Sequence, residues 1–168
     1  MRYALALSTM IAFSLVAANS PASGKEEEIP LDQVPKVVVD AVKARFPGAK
    51  LTDAVKESEN GKTTYEVELE YKDQEYTVSA TADGKITEIE REIEIDDLPK
   101  AVVDAIKKKY PGAEMEGAEE ITVDDKTTYE VVIETADEKD VEVTVDASGK
   151  IVKEEEVEED DDDDDDDD

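Results

Sequence analysis

The sequence repeats itself, and this repetition limits the possible folds more than any other feature. Four segments recur in the same order, at an offset of 64 residues for the first three and 65 for the last. The matched pairs are residues 34–43 and 98–107, 46–49 and 110–113, 62–67 and 126–131, and 84–86 and 149–151. The changed offset indicates one inserted residue in the second copy, around residues 137–140. Repetition in register is typical of a duplicated structural unit.

Each copy begins with a predicted helix. Apolar residues recur every three or four positions from Val34 to Phe46 and from Leu98 to Tyr110, as on one face of a helix. A Pro-Gly pair follows each stretch and ends the helix. Asp32, and Asp96 or Asp97, are expected to cap the helices, with a proline tolerated in the first turn.

After each helix, apolar residues recur with a period of two, which is typical of strands with one buried face. In the first copy these are Tyr65, Val67, Leu69, Tyr71, Tyr76, Val78, Ala80 and Ile86, and in the second Tyr129, Val131, Ile133, Val141, Val143, Val145 and Ile151. Less regular first strands are predicted around residues 49–58 and 113–123. The sequence therefore predicts an α+β fold of two tandem repeats, each a helix packed on an antiparallel sheet of about four strands. A unit of this size is marginal alone, so the two are expected to pack together or share a sheet.

The N-terminus has the pattern of a secretory signal peptide. Arg2 precedes an apolar stretch over residues 4–16, and small residues follow it. The apolar stretch is shorter than the roughly 20 residues that a membrane span needs. The predicted division is a signal peptide at 1–22, a linker at 23–28, the two repeats at 29–93 and 94–157, and a disordered acidic tail at 158–168. We expect a periplasmic or secreted bacterial protein with no membrane span after signal cleavage.

The charge of the chain indicates the kind of partner it can have. The sequence has 48 acidic residues against 19 basic ones, which gives a formal net charge of −29. Nucleic acids and anionic membranes require basic patches, so neither is an expected partner. A basic protein or peptide, of unknown identity, is the electrostatically favoured partner.

The residue types present also argue against an enzyme. The chain contains no cysteine and no histidine. Disulfides, thiol nucleophiles, imidazole bases and the usual Cys/His zinc sites are therefore excluded. No nucleophile elbow or phosphate-binding loop is visible. The sequence predicts a non-enzymatic protein without a cofactor.

Three motifs in each copy resemble those of PepSY-like domains, which are related to the β-lactamase-inhibitory-protein fold. The helix motif covers residues 34–49 and 98–113, the strand motif reads TYEVEL or TYEVVI, and the turn reads DGKI or SGKI. The resemblance covers roughly residues 29–157. It implies exported bacterial proteins without enzymatic activity, some of which inhibit secreted or periplasmic enzymes through a sheet face. No functional residue of the family matches this chain position by position.

Two groups of acidic residues are candidate binding sites. The first is the acidic face of the sheet, interpreted either as a docking surface for a basic partner or as an ordinary solvated face; its residues are Glu66, Glu68, Glu70, Glu130, Glu134 and Glu142. The second is the tail, which can associate weakly with calcium or serve only as a solubilising extension; its residues are Asp160, Asp161, Asp162, Asp163, Asp164, Asp165, Asp166, Asp167 and Asp168. By alternation, the tyrosines at positions 65, 71, 76 and 129 are assigned to the core.

Two functions therefore remain open. The first is an exported binding protein that inhibits or docks onto an extracytoplasmic enzyme through the acidic sheet face. The alternative is an acidic surface or periplasmic protein that associates with divalent cations, calcium in particular.

Overall fold

The computed structural model describes residues 25–157. Its strands form a single antiparallel sheet in which each strand pairs with its neighbours in the chain. The strands are β1 Lys25–Glu28, β2 Lys50–Glu59, β3 Lys62–Tyr71, β4 Gln74–Thr81, β5 Ile86–Glu92, β6 Glu114–Val123, β7 Lys126–Glu134, β8 Asp140–Asp146 and β9 Ile151–Glu156. Two α-helices, α1 Lys36–Arg45 and α2 Lys100–Lys109, precede β2 and β6, and each follows a short 3₁₀ turn.

This architecture corrects the predicted fold class. The prediction of two tandem repeats, each a helix on its own sheet of about four strands, is wrong. Within residues 25–157 the protein is mostly β, with one nine-stranded sheet and only two α-helices. The sheet is continuous because β5 pairs with β6 from Glu88–Val123 to Glu92–Glu119. The reason is that an unpaired β5 would leave its backbone groups exposed at an edge, whereas pairing with β6 satisfies them.

Both helices begin later than predicted. Pro35 and Pro99 are the N-cap residues, and no side chain makes a capping hydrogen bond at either helix start. Asp32 instead lies in the preceding 3₁₀ turn, as do Asp96 and Asp97. The residue before a proline is driven out of the helical region, so each 3₁₀ turn ends in an extended residue and the helix starts afresh.

The helices cover one face of the sheet. Val38 and Val42 of α1 are fully buried against Val67 and Leu69 of β3 and Val78 of β4. The second half repeats this packing, with core residues Val102, Ile106, Val131, Ile133, Val143 and Val145. Full burial of one such side chain stabilises the fold by about 1.5–3 kcal/mol. The tyrosines assigned to the core, at positions 65, 71, 76 and 129, are partly buried and pack against these clusters.

The described chain begins inside the predicted linker. Lys25–Glu28 forms β1, which pairs with Val55–Ser58 of β2. The signal peptide predicted at 1–22 and the acidic tail predicted at 158–168, including the candidate calcium ligands, lie outside the described residues. The proposed division of the chain therefore stays a prediction.

Candidate functional site

The face of the sheet opposite the helices carries the candidate site, and we call it the open face. Side chains alternate along each strand, so the residues between the core positions all point to this face. The strand register places the following acidic residues on it: Glu26, Glu57, Glu66, Glu68, Glu70, Glu75, Glu88, Glu90, Glu92, Glu119, Glu130, Glu134, Asp140, Glu142, Asp146 and Glu155.

Six of these carboxyl groups form a diagonal series across the open face, which we call the acidic band. The band consists of Glu66 on β3, Glu88 and Glu90 on β5, Glu119 on β6, Glu130 on β7 and Glu142 on β8. The register connects them: Ser79 lies between Glu66 and Glu88, and Glu119 pairs directly with Glu130. Like charges opposite each other on neighbouring strands are destabilising, so the band carries unfavourable electrostatic energy.

In the first half of the band, burial and repulsion favour the protonated form of the carboxyl groups. Burial raises the pKa of Glu90 to about 9, with a hydrogen bond to Glu88 and the charges of Glu88, Glu119 and Glu66 as further causes. The pKa of Glu66 is also raised, by burial and then by the charges of nearby glutamates. These groups therefore bind a proton at a higher pH than an ordinary glutamate does.

The second half of the band is centred on a buried glutamate. Glu130 is 4% exposed, and its neighbours Glu142 and Thr144 are also buried. Burial is the main reason that the pKa of Glu130 is raised to about 8. The charges of Glu142 and Glu119 and a hydrogen bond to Glu142 raise this pKa further. The protonated Glu130 can thus donate to Glu142, whereas the ionised group would be buried beside two other acids.

Two polar atoms at this point have no donor within the described chain. Glu130 Oε2 and Thr144 Oγ1 are buried without a hydrogen-bond partner among residues 25–157. The two residues face each other across β7 and β8. A buried polar atom without a partner costs about 1–3 kcal/mol, so this part of the face favours a ligand that brings hydrogen-bond donors.

Basic side chains relieve the acidic face only locally. Lys153 lies opposite Thr144 and forms an ion pair with Glu155 at 2.9 Å. Its charge lowers the pKa of Glu130, but this is the smallest of the effects on that pKa. Lys50 pairs with Glu70 at 3.2 Å, at the other end of the sheet. Neither contact outweighs the effect of burial and neighbouring acids on Glu130 and Glu90.

The structure separates the predicted site residues into two groups. Glu66, Glu68 and Glu70 lie on the open face of β3, whereas Glu130 and Glu134 lie on β7. These strands are four sheet positions apart, which corresponds to about 19 Å. Glu142 on β8 interacts directly with Glu130. Glu134 and Glu70 are exposed near the ends of their strands.

Sequence reasoning missed the residues that connect these groups. Glu88 and Glu90 of β5 and Glu119 of β6 fill the space between β3 and β7. A period of two in residues 86–92 is visible in the sequence, where Glu88, Glu90 and Glu92 alternate with other residue types. This period could have indicated that Glu88 and Glu90 lie on the open face. The pairing of β5 with β6, however, follows only from the continuous sheet.

The described residues offer no preorganised metal site and no membrane helix. Among residues 25–157, no group of three or more acidic side chains is arranged to hold a metal ion. No helix in the same range is both long and apolar enough to cross a membrane. Among these residues, the acidic band is therefore a series of carboxyl groups on one face of the sheet and not a metal-binding cluster.

Comparison with protein families supports the PepSY-like resemblance. Residues 71–153 match the PepSY_like family, described as "Putative beta-lactamase-inhibitor-like, PepSY-like". Residues 35–96 match the PepSY family, described as "Peptidase propeptide and YPEB domain". The two matches overlap, and they do not confirm two tandem copies. Among curated proteins, none matches the sequence.

Solved bacterial structures share the fold. A BLIP-like protein from Bacteroides fragilis is 22% identical with a TM-score of 0.61, and the match covers 76% of this chain and 89% of that one. A DUF2874 family protein from Bacteroides uniformis is 15% identical with a TM-score of 0.62, covering 73% and 88%. A protein of Bacteroides eggerthii, described as "putative periplasmic", is 12% identical with a TM-score of 0.62, also covering 73% and 88%. At these identities the likeness concerns the fold.

Proposed function

We propose that this PepSY-like chain is an exported, non-enzymatic protein that binds a basic polypeptide on the open face of its sheet. The observation that carries the proposal is the buried Glu130, whose Oε2 has no donor among residues 25–157, beside Thr144 Oγ1, which has no partner in the same range. An ordinary solvated sheet face would leave such carboxylates to water. Here both atoms are buried, and no group among residues 25–157 donates to Glu130 Oε2.

Lysine and arginine side chains supply what the acidic band lacks. An ammonium group has three donors and a guanidinium group five, and both favour the ionised form of nearby carboxyl groups. A basic segment across the sheet would therefore relieve the repulsion between Glu90 and Glu119 and satisfy the atoms around Glu130. Acidic and neutral partners offer no comparable gain.

The location and the partner class fit this function. The predicted signal peptide directs the chain out of the cytoplasm, and one solved structure of the same fold is described as periplasmic. The BLIP-like structure favours an extracytoplasmic enzyme as the protein that carries the basic segment. Inhibition of that enzyme would follow if the segment lies at its active site.

We further infer that residues 29–93 and 94–157 descend from one duplicated unit. The matched sequence segments and the matched order of elements, 3₁₀ turn, helix and four strands, support this inference. Both units then contribute strands to the shared sheet. Cation association through the aspartates of residues 160–168 remains the alternative function, outside the described part of the chain.

The first test is titration of a short peptide of alternating lysine and threonine into the mature chain, measured by calorimetry. We expect saturable binding that weakens with added salt. A Glu66→Gln/Glu130→Gln double variant should bind at least tenfold more weakly. The matched control is Asp32→Asn/Asp96→Asn, which converts the same number of carboxyl groups to amides in the exposed 3₁₀ turns on the helix side.

A chain ending at Glu159 separates the sheet from the aspartate tail. If the truncated chain still binds and only the open-face variant loses affinity, the proposal holds. Equal loss in both double variants, or binding that disappears with the tail, would overturn it. Binding at about pH 7 should also release protons, because a neighbouring cation lowers the raised pKa values of Glu90 and Glu130.

A further inference from the structure

A pocket of about 570 Å³ lies on the helix side of the sheet, away from the open face. It is bounded by the C-terminal end of α2, the loop between β7 and β8, and the edge strand β9. Tyr110, Ala113 and Val141 provide apolar surface inside it, and charged side chains surround its entrance. It is therefore distinct from the acidic band.

In the first half of the molecule, aromatic rings occupy the equivalent position. There, Tyr71 and Tyr76 pack around Phe46, with ring centroids 5.5 Å and 4.8 Å from that of Phe46. Tyr76 pairs with Leu69 across β3 and β4. Three aromatic rings thus close the space beneath the end of α1.

The second half has the same backbone arrangement with smaller side chains. Val141 pairs with Ile133 across β7 and β8, as Tyr76 does with Leu69. At the offsets of 64 and 65, Thr135 and Val141 occupy the positions of Tyr71 and Tyr76. Tyr110 replaces Phe46, and its hydroxyl donates to Glu154. The pocket is the volume that the two missing aromatic rings would occupy.

An open sheet edge lies directly beside the pocket. Among residues 25–157, β9 pairs only with β8, so its other edge has no strand partner in the described chain. An unpaired edge is a template for an extended peptide, whose main chain gives affinity while adjacent pockets select its side chains. Glu154 and Glu156 of β9 lie at the pocket entrance.

The charges around the entrance select a cationic ligand. The lining contains four acidic residues, Asp137, Glu154, Glu155 and Glu156, against two lysines, Lys109 and Lys139. Both lysines are already bonded, Lys109 to Glu154 and Lys139 to Glu156. Glu155 lies on the open face by register and pairs with Lys153, so the surplus at this pocket is one carboxylate, which an acidic group of a ligand would meet.

We propose that the pocket and the free edge of β9 bind an extended basic segment of a polypeptide, which adds as a further strand and inserts an aromatic side chain beside Tyr110. The aromatic ring replaces those that Tyr71 and Tyr76 supply in the first half. The basic residues flanking it meet the acidic entrance. This second binding site includes no residue of the acidic band.

The chain has no tryptophan, so a peptide with one tryptophan between lysines reports its own environment by fluorescence. With the mature chain we expect saturable binding and a blue shift of the tryptophan emission. A matched peptide with alanine in place of tryptophan, competing for the site, should bind at least tenfold more weakly. A peptide with methylated backbone nitrogens should also lose affinity, because it cannot donate to β9.

Val141→Tyr fills the pocket with the residue type found in the first half, and Thr135→Tyr fills it from a partly exposed position. Either variant, with an unchanged unfolding midpoint, should abolish the blue shift. Unchanged binding in both would overturn the proposal, as would equal binding of the methylated peptide. The Glu66→Gln/Glu130→Gln variant should still produce the blue shift. If this variant loses the blue shift while Val141→Tyr keeps it, the peptide binds to the open face instead.

Discussion

At the scale of single residues, Glu130 and Glu134 show that alternation along a strand predicts the face of a side chain but not its burial. Both were predicted for the same face of the same strand, and both lie there. Glu130 is 4% exposed because it lies between Glu119 and Thr144 in the middle of the sheet, whereas Glu134 is exposed near the strand end. The sequence treats the two glutamates as equivalent, but burial makes only one of them electrostatically costly.

We expect Glu130→Gln to stabilise the protein at alkaline pH. The pKa of Glu130 is raised from 4.5 to about 8, so the folded state holds this proton more tightly than the unfolded state. The resulting stabilisation is complete below about pH 4.5 and is lost as the pH rises through about 8. At about pH 9 the glutamine variant should therefore have a free energy of unfolding higher by on the order of 1–3 kcal/mol.

Urea unfolding at about pH 4 and about pH 9 measures this effect. The variant and the native chain should differ little at the lower pH and clearly at the higher one. Glu134→Gln is the matched control, with the same chemical change at an exposed position of β7. A lower stability of Glu130→Gln at alkaline pH would contradict the prediction and indicate that the ionised carboxylate is satisfied.

At the scale of elements, the turn before the last strand of each half contacts a helix. Gly84 and Gly149 have φ values of 84° and 87°, which favour glycine. A Cβ atom at Gly149 would lie 2.6 Å from the carbonyl oxygen of Ala101 in α2, and one at Gly84 would lie 2.9 Å from that of Val37. The DGK and SGK motifs indicated turns, but the close approach to the helices could not be read from them.

We therefore expect Gly149→Ala to destabilise the protein by about 3 kcal/mol, since backbone strain and overlap with the helix add together. Gly61→Ala is the control, because Gly61 has a φ of 77° but open space around its Cβ position. Its cost should be only about 1–2 kcal/mol, from the backbone conformation alone. Chemical denaturation of both variants gives the comparison, and equal losses would show that the helix contact contributes nothing.

At the scale of the whole molecule, the continuous sheet and the high negative charge act together. The junction between β5 and β6 places Glu92 opposite Glu119 and continues the acidic face from one half into the other. On the helix side of the same junction, Arg91 pairs with Glu120 at 3.2 Å and partly offsets this repulsion. The charge of −29 is therefore a property of one connected surface as well as of the tail.

Salt should stabilise this protein against heat. Raising NaCl from about 10 mM to about 500 mM shortens the Debye length from about 30 Å to less than 5 Å and screens the repulsion between carboxylates. We expect the midpoint of thermal unfolding at about pH 7.5 to rise by about 5 °C or more. Near pH 4, where many carboxyl groups are protonated, the increase should be much smaller. A midpoint that falls with salt at neutral pH would show that specific ion pairs outweigh the net repulsion.

The sequence by itself determined the local structure of the described chain. Periodicity gave both helices, the strands other than β1, and the face on which the glutamates of β3, β7 and β8 lie, because these depend on the geometry of a few neighbouring residues. It also indicated a cationic partner, because the excess of acidic residues does not depend on the fold.

The tertiary structure decided the features that depend on residues far apart in the chain. It joined the strands into one sheet, where the sequence left open whether the two units share a sheet or only pack together, because pairing β5 with β6 satisfies backbone groups that would otherwise form edges. It thereby assembled the acidic band, buried Glu130, and left a pocket where Thr135 and Val141 replace two tyrosines. Burial and cavities arise from packing between distant segments, and for that reason no local pattern in the sequence records them.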